Sequence, residues 1–337
     1  MSEVLVTGGS GFIGSHTIIK LLEQGHKVRT TIRSESKKAA LLDLMRGAGC
    51  KNLDQLSFYI ADLEKDEGWN EAAQGCDYVL HVASPFPLKE PKHEDELIRP
   101  AREGTLRALR AAHAARVKRV VLTSSFAAIG YGDAGSRPFD ETDWSDVNSP
   151  LPAYVKSKTV AEKAAWDFVK NTNGELEMCV INPVAVTGPA LSRDFASSIE
   201  IVDRMLNGQM PACPRLSFAV VDVRDVADLH IWAMTKEGAA GERFLAAAGP
   251  PVALLDVAKI LKAGLPESAT KKVPTIEIPD WLVKVLSYVV PELQSLVPNL
   301  GKVRPLTNAK AQKFFGWTPI STKDSVLATG KSLIEIG

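Results

Sequence analysis

Tyr154 and Lys158 lie four residues apart in the stretch AYVKSKTVAEKAAW. Four residues along a helix bring two side chains to the same face. A tyrosine has a pKa of about 10, so it is a poor acid–base catalyst near neutral pH on its own. A lysine ammonium beside it stabilises the phenolate and lowers that pKa. The spacing therefore predicts proton transfer by Tyr154 with Lys158 as its electrostatic partner.

A serine pair, Ser124 and Ser125, precedes Tyr154 by about 30 residues. Residues 123–125 read TSS and follow the apolar run VVL, which predicts a strand ending in hydroxyl groups. Ser125 Oγ is predicted to donate to a substrate carbonyl oxygen and to hold it beside Tyr154. Two plainer interpretations stay open, because lysine is common enough to produce such a spacing by chance, and serines at strand ends often satisfy backbone groups.

Three glycines follow the first apolar run of the chain. Gly8, Gly11 and Gly14 lie in TGGSGFIG, directly after Val4–Val6 and before a helical pattern. Glycine allows a tight turn and close approach of the backbone to a pyrophosphate, and the following helix N-terminus attracts negative charge. The spacing is G-x-x-G-x-x-G, and its strand–turn–helix context predicts a dinucleotide-binding loop.

The end of the second predicted strand carries basic residues. NAD sites usually place an acid there for the ribose 2′-hydroxyl, whereas here VRTTIR ends at Arg33, and Lys37 and Lys38 follow. A guanidinium can bind a 2′-phosphate through paired donors, so NADPH is favoured over NADH. Solvated charges at a helix start are the alternative, and Glu35 is the one acid nearby.

Strand-like and helix-like stretches alternate through the first half of the chain. This order predicts an α/β protein with a Rossmann-type doubly wound parallel sheet. Prolines cluster from about residue 183, where a smaller, irregular C-terminal substrate lobe is expected. We assign residues 1–182 to the dinucleotide-binding domain and 183–337 mostly to the substrate lobe, with some later segments returning to the sheet. The predicted strands and helices are Val4–Val6, Ile13–Glu23, Val28–Ile32, Lys37–Arg46, Leu56–Ile60, Tyr78–Val82, Asp95–Ala115, Arg119–Thr123, Ala153–Lys170 and Met178–Ile181.

The combination of these features resembles the extended short-chain dehydrogenase/reductase superfamily, and within it the dihydroflavonol-4-reductase-like aldehyde and ketone reductases. The resemblance extends over most of the chain and is weakest beyond residue 190. Phe126 departs from it, because smaller residues usually follow the active-site serine. The motifs that carry the resemblance are VTGGSGFIGSH, VRTTIR, ADL at Ala61–Leu63, HVASP at His81–Pro85, LTSS, YVKSKTVAEKAAW and INPVAVTGP at Ile181–Pro189.

The resemblance implies roles for matching positions. Ser125, Tyr154 and Lys158 would form the catalytic set, and Tyr154 and Lys158 would also contact the cofactor. Arg33 and Lys37 would meet the 2′-phosphate, with NADPH as cofactor. The remaining cofactor contacts would come from Gly8, Gly11, Phe12, Ile13, Gly14, Asp62, Leu63, Val82, Ala83, Ser84, Thr123, Pro183 and Val184. Candidates for the substrate wall, beside Ser125, are Phe86, Pro87, Tyr131 and Phe195.

Composition narrows the class of protein. The 337 residues carry 40 basic and 40 acidic side chains, so the net charge is zero and a nucleic-acid or membrane-surface role is not expected. The cysteines and histidines show no metal-ligand spacing, and strand-like EVLV at Glu3 argues against a signal peptide. A cytoplasmic monomer or homodimer without a metal, acting on a small carbonyl compound, is expected.

The favoured function is an NADPH-dependent carbonyl reductase acting on an aldehyde or ketone of hydrophobic, aryl, dicarbonyl or dihydroflavonol-like character. A nucleotide-sugar epimerase or dehydratase, or a hydroxysteroid-type dehydrogenase, is an alternative on the same scaffold. Sugar dehydratases of this type carry an Asp–Glu pair after the active-site hydroxyl residue, whereas this chain has SFAAIG there. An NADP-sensing protein without enzymatic activity is an alternative of another class, since fold alone does not imply catalysis.

Overall fold

The computed structural model describes residues 1–85, 91–192, 197–290 and 293–336. In chain order, the strands within these ranges are β1 (Glu3–Thr7), β2 (Lys27–Ile32), β3 (Leu56–Ile60), β4 (Tyr78–His81), β5 (Arg119–Thr123), β6 (Glu177–Pro183), β7 (Ala185–Thr187), β8 (Cys213–Pro214), β9 (Ser217–Phe218), β10 (Val220–Asp222), β11 (Arg243–Ala246), β12 (Val252–Ala253) and β13 (Glu277–Ile278). The helices are α1 (Phe12–Glu23), α2 (Ser36–Gly47), α3 (Trp69–Ala73), α4 (Asp95–Ala114), α5 (Ala153–Lys170), α6 (Ser197–Leu206), α7 (Val223–Thr235), α8 (Leu254–Gly264), α9 (Glu267–Thr270), α10 (Asp280–Leu286), α11 (Ala309–Phe315) and α12 (Thr322–Ile336).

Seven parallel strands form the main sheet in the order β11-β6-β5-β4-β1-β2-β3. The order reverses between β1 and β4, as in a Rossmann fold, so the predicted doubly wound α/β architecture is confirmed. The six predicted strands and four predicted helices all form, with ends that differ by at most a few residues. The sequence analysis missed α3, a five-residue helix between β3 and β4.

The sheet is apolar because helices cover it. All five residues of β5 are buried, as are six of the seven residues of β6. A core cluster joins Leu5, Val79, Val120 and Val180 of neighbouring strands to Leu109 and other residues of α4. Burial on both faces explains why these strands lack alternation between apolar and polar residues.

The chain forms two compact units from interleaved segments. The first unit consists of residues 1–133, 141–183 and 224–246, and the second of residues 134–140, 184–223 and 247–337. The edge strand β11 therefore comes from a late segment of the chain. The assignment of residues 1–182 and 183–337 to two domains stays a prediction.

Short strand pairs and helices make up the second unit. β7 pairs with β10, β8 with β13, and β9 with β12. Hydroxyl groups on one face of α12 fix the segment that follows β7: the Thr187 and Ser325 side-chain oxygens lie 2.7 Å apart, and the amide of Gly188 donates to Thr329 Oγ1 at 2.7 Å. Among the described residues, no helix is long and apolar enough to cross a bilayer.

Candidate active site

Four neighbouring strands of the main sheet end at one edge. β6, β5, β4 and β1 are adjacent and parallel, so the residues after them lie at the same side of the sheet. This is where doubly wound sheets bind their ligands. The glycine turn follows β1, residues 82–84 follow β4, and the serine pair follows β5.

The glycine turn needs its small residues. Gly8 has a φ of +69°, which residues with a side chain rarely adopt, and a Cβ there would lie 2.9 Å from Ala83 Cα. A Cβ on Gly14 would collide with the Gly8 carbonyl oxygen, so Gly14 lets α1 pack onto the turn. Gly11 precedes α1, its amide donates to Gly8 O at 2.9 Å, and no described side chain caps the helix. The N-terminus of α1 is therefore not capped by a described side chain, and uncapped first-turn amides can donate to an anion.

Thr7 fastens the end of β4 to the glycine turn. Its Oγ1 accepts from the Ala83 amide at 3.0 Å and lies 2.9 Å from Nδ1 of the buried His81. Burial, together with the charge of Lys158, lowers the pKa of His81 to about 3, so the imidazole is neutral. Val82 and Ser84, on either side of Ala83, are partly exposed.

Phe12 and Ile13 form the first turn of α1 and are partly exposed. The Phe12 ring packs edge-on against His16, with 5.4 Å between the ring centroids. Both side chains thus border the glycine turn, where they were predicted to line the cofactor loop.

The basic residues after β2 are available to an anion. Arg33 and Lys37 are exposed and have no ion-pair partner among the described residues. Glu35, the one acid nearby, forms an exposed ion pair with Lys38 at 3.4 Å.

Asp62 and Leu63 follow β3 and are partly exposed. Asp62 Oδ1 accepts from the amide of Glu64 at 3.1 Å, and its carbonyl accepts from Trp69 Nε1 at 3.1 Å. Leu63 packs against Gly104 of α4, where a Cβ would come within 2.7 Å of Leu63 Cδ2. The turn that was predicted to contact the adenine is therefore held from two sides.

Ser125 has an extended backbone and directly precedes a single 3₁₀ turn, Phe126–Ala128. Its Oγ accepts from the Ala127 amide at 3.1 Å. Because the Ala127 amide uses a lone pair of this hydroxyl, the proton is free to point at another acceptor, and Ser125 makes a side-chain hydrogen bond with Tyr154. The unusual Phe126 folds its ring over Gly130, where a Cβ would collide with the ring.

Tyr154 lies in the first turn of α5 and is partly exposed. Burial raises the pKa of Tyr154 above its usual value, the hydrogen bond with Ser125 lowers it in part, and Tyr131 raises it further. The expectation that Lys158 lowers the pKa of Tyr154 differs from the structure, in which desolvation of the phenol raises it. Tyr154 is therefore a protonated phenol at neutral pH.

Lys158 lies one helical turn after Tyr154 and is buried, with 8% of its surface exposed. Burial lowers the pKa of Lys158 to about 8, although Glu162 raises it. A buried amine with a pKa near the working range is typical of functional sites.

The remaining predicted cofactor residues lie at the ends of β5 and β6. Thr123 is buried, and its Oγ1 lies 2.6 Å from Nε2 of His230 on α7, so its side chain is already engaged. Pro183 is buried at the end of β6. Val184 is partly exposed and is the first residue of the segment 184–223, which belongs to the second compact unit.

Two of the substrate-wall candidates, Ser125 and Tyr131, lie among the described residues. Tyr131 is partly exposed and close enough to Tyr154 to affect its pKa. Phe86, Pro87 and Phe195 lie outside the described residues.

The sequence analysis missed a buried polar group behind these residues. Glu162 on α5 accepts from Asn182 Nδ2 at 2.8 Å and from Arg243 Nε at 2.6 Å. Its position four residues after Lys158 was the available signal, because that spacing continues the helix face of Tyr154 and Lys158. No group of histidine, cysteine or acidic side chains suited to a metal occurs among the described residues.

Several features of the chain itself are suited to a dinucleotide that carries a 2′-phosphate. The Gly8 backbone leaves room that a Cβ would fill, and no described side chain caps the N-terminus of α1. Arg33 and Lys37 carry charges without an ion-pair partner in the described part of the chain. Gly8, Gly11 and α1 would hold the pyrophosphate, and Lys158 would hold the nicotinamide ribose.

Comparison with known proteins agrees with this geometry. Residues 4–247 match the sequence model of the NAD dependent epimerase/dehydratase family. The chain is 38% identical to a cinnamoyl-CoA reductase of Medicago truncatula over 72% of this chain and 75% of that protein. It is 35% identical to a ketoreductase of Aspergillus niger over 83% and 87% of the two chains. The chain belongs to the NAD dependent epimerase/dehydratase family, the extended branch of the short-chain dehydrogenases/reductases.

A solved structure extends the likeness over the whole chain. The yeast methylglyoxal/isovaleraldehyde reductase Gre2, complexed with NADPH, is similar with a TM-score of 0.80 and 27% sequence identity. The match covers 99% of this chain and 98% of that one.

Replacing Arg33 tests the predicted cofactor preference. We expect Arg33→Ala to raise the KM for NADPH roughly tenfold to a hundredfold, because a charge-assisted contact contributes about 1.5–3 kcal/mol. The KM for NADH should change little, as steady-state kinetics with both cofactors would show. Arg46→Ala, in an exposed ion pair at the end of α2, is the control. Equal effects of Arg33→Ala on both cofactors would contradict a 2′-phosphate contact.

Replacing Lys158 separates its role in function from its role in stability. The pKa of Lys158 falls from 10.5 to about 8 on folding. The buried ammonium therefore costs on the order of 3 kcal/mol at pH 7, and the cost shrinks as the pH rises from about 8 to 10.5. We expect Lys158→Met to raise the Tm at pH 7 by several degrees, with a smaller gain at pH 10, and to abolish turnover. Thermal scans against Lys170→Met, an exposed control on α5, check this; a lower Tm would show that the ammonium stabilises the fold.

Proposed function

We propose that Ser125, Tyr154 and Lys158 are the catalytic residues of this chain. The protein is an NADPH-dependent carbonyl reductase. The observation that carries the residue assignment is the hydrogen-bond order at Ser125, where Oγ accepts from the Ala127 amide and bonds with Tyr154. The Ser125 hydroxyl and the Tyr154 phenol thus lie within hydrogen-bond reach of each other, and a carbonyl oxygen bound between them could accept from both.

The reaction follows from these positions. When bound, NADPH supplies the hydride that the carbonyl carbon receives. Ser125 donates to the carbonyl oxygen and holds it beside Tyr154, and the phenol transfers its proton to that oxygen as negative charge develops there. The product is an alcohol, and the tyrosinate recovers a proton from solvent. Lys158 stabilises the transient tyrosinate, because an ammonium one helical turn away offsets its charge.

The raised pKa of Tyr154 suits this direction. A phenol that stays protonated at neutral pH is ready to donate, whereas alcohol oxidation needs the phenolate as a base. Reduction should therefore extend through neutral pH, and alcohol oxidation should require alkaline conditions.

We propose small hydrophobic aldehydes, α-dicarbonyls and aryl ketones as substrates. Tyr131, a partly exposed aromatic side chain close to Tyr154, supports an apolar group beside the reacting carbonyl. The similarity to a methylglyoxal/isovaleraldehyde reductase supports the same classes. The described residues after Ser125, from Phe126 to Gly130, contain no acid, so the pattern of a sugar dehydratase is absent there.

A substrate panel tests the proposed chemistry. We expect NADPH oxidation, followed at 340 nm, with methylglyoxal, a branched aliphatic aldehyde or an aryl ketone as substrate. Tight NADPH binding without turnover of any carbonyl compound would favour a cofactor-sensing protein instead. UDP-glucose and UDP-galactose serve as controls, since their interconversion would indicate an epimerase.

Replacing Tyr154 tests its role. Tyr154→Phe removes the proton donor and leaves the ring, so we expect kcat to fall roughly a hundredfold to ten-thousandfold. The dissociation constant for NADPH, measured by fluorescence titration, should stay within a few-fold of the wild-type value. A Tyr154→Phe variant with near-normal kcat would refute the assignment.

A further inference from the structure

Glu162 lies on α5 one helical turn after Lys158 and is 1% exposed. Four donors meet its two oxygens. Oε2 accepts from Ser124 Oγ and from Asn182 Nδ2, and Oε1 accepts from Arg243 Nε at 2.6 Å and from Trp166 Nε1 at 3.3 Å. Both oxygens therefore act as acceptors, as those of a carboxylate do, whereas the amide of a glutamine would turn a donor toward these groups.

These bonds connect α5 to the strand ends that carry the proposed site. Ser124 follows β5 and directly precedes Ser125. Asn182 lies in β6, and its Nδ2 donates both to Glu162 at 2.8 Å and to the Ser125 carbonyl at 3.2 Å. The carboxylate is therefore linked to Ser125 in two ways. Ser124, which it binds, is the neighbouring residue in the chain, and Asn182 bridges it to the Ser125 carbonyl.

Glu162 also belongs to the charge balance around Lys158. Glu162 raises the pKa of Lys158, whereas burial lowers it. His81, which also interacts with Lys158, is neutral. Arg243, fixed by the carbonyls of Glu141 and Asp143, offsets the charge of Glu162 on the side of β11.

We propose that Glu162 is a positioning residue of the reductase. Its carboxylate holds Ser125 in place relative to Tyr154 through Ser124 and Asn182, and it places a negative charge one helical turn from Lys158. The inference rests on the proposed roles of Ser125, Tyr154 and Lys158. A purely structural role for the buried pair of Glu162 and Arg243 is the competing explanation.

Glu162→Gln separates the two explanations, because it keeps the size of the side chain and removes the charge. We expect kcat to fall tenfold or more, while the dissociation constant for NADPH at pH 7 changes less than threefold. The pH above which NADPH binding weakens, measured by fluorescence titration, should move at least half a pH unit lower, since Lys158 loses the carboxylate that favours its charge. Asp167→Asn, an exposed acid on the same helix, should match the wild type in all three measurements.

A structural role predicts a different result. A folded Glu162→Gln protein with a lower Tm, but with wild-type kcat and an unshifted pH dependence of NADPH binding, would overturn the proposal. If wild-type protein turns over no carbonyl compound, the proposed function fails, and the pH dependence of NADPH binding still decides whether Glu162 acts on Lys158.

Ser124→Ala provides a second, milder variant if Glu162→Gln does not fold. It removes one tie to Ser125 and keeps the charge of Glu162. We expect kcat to fall about fivefold with no shift in the pH dependence of NADPH binding. Wild-type kcat in Ser124→Ala would refute the positioning role.

Discussion

The buried ammonium of Lys158 is the constraint to which the rest of the site conforms. Taking a charge out of water is costly, and the pKa of about 8 records that cost in this chain. The neighbours reduce the cost without cancelling the charge. His81 stays neutral, Tyr154 stays protonated, and among the described residues Glu162 supplies a negative charge that raises the pKa of Lys158. In such a site the Lys158 ammonium can stabilise the Tyr154 phenolate that forms only during proton transfer.

The parallel sheet makes that arrangement possible. β6, β5, β4 and β1 are adjacent, so residues far apart in sequence follow strands that end together. Thr7 at the end of β1 fixes Ala83 after β4, and Asn182 in β6 fixes Ser125 after β5. Each functional loop is thus tied to the next strand by a side chain that itself lies in the sheet. The first residues of these loops are therefore fixed to strands of the sheet.

Much of this could be predicted from the sequence, and the rest could not for identifiable reasons. Local patterns encode the strands, the glycine turn and the helix that carries Tyr154 and Lys158, because each depends on residues within one or two turns. The pKa of Tyr154 was misjudged, since burial depends on packing from distant segments. Glu162 illustrates the same limit. Its spacing from Lys158 is visible in the sequence, but its donors come from β5, β6 and β11, and strand neighbours in a parallel sheet are not sequence neighbours.

The fold of this family can serve several different reactions. The glycine turn, the serine and the Tyr–Lys pair provide a proton and a place for a nucleotide, which several reactions of this family could use. In this chain the site groups are held in defined states. Ser125 accepts from the Ala127 amide and so presents a proton, and desolvation keeps the Tyr154 phenol protonated. The Ser125 hydroxyl and the Tyr154 phenol lie within hydrogen-bond reach of each other, which suits a carbonyl oxygen because it can accept from both. The fold contributes by holding both residues in place.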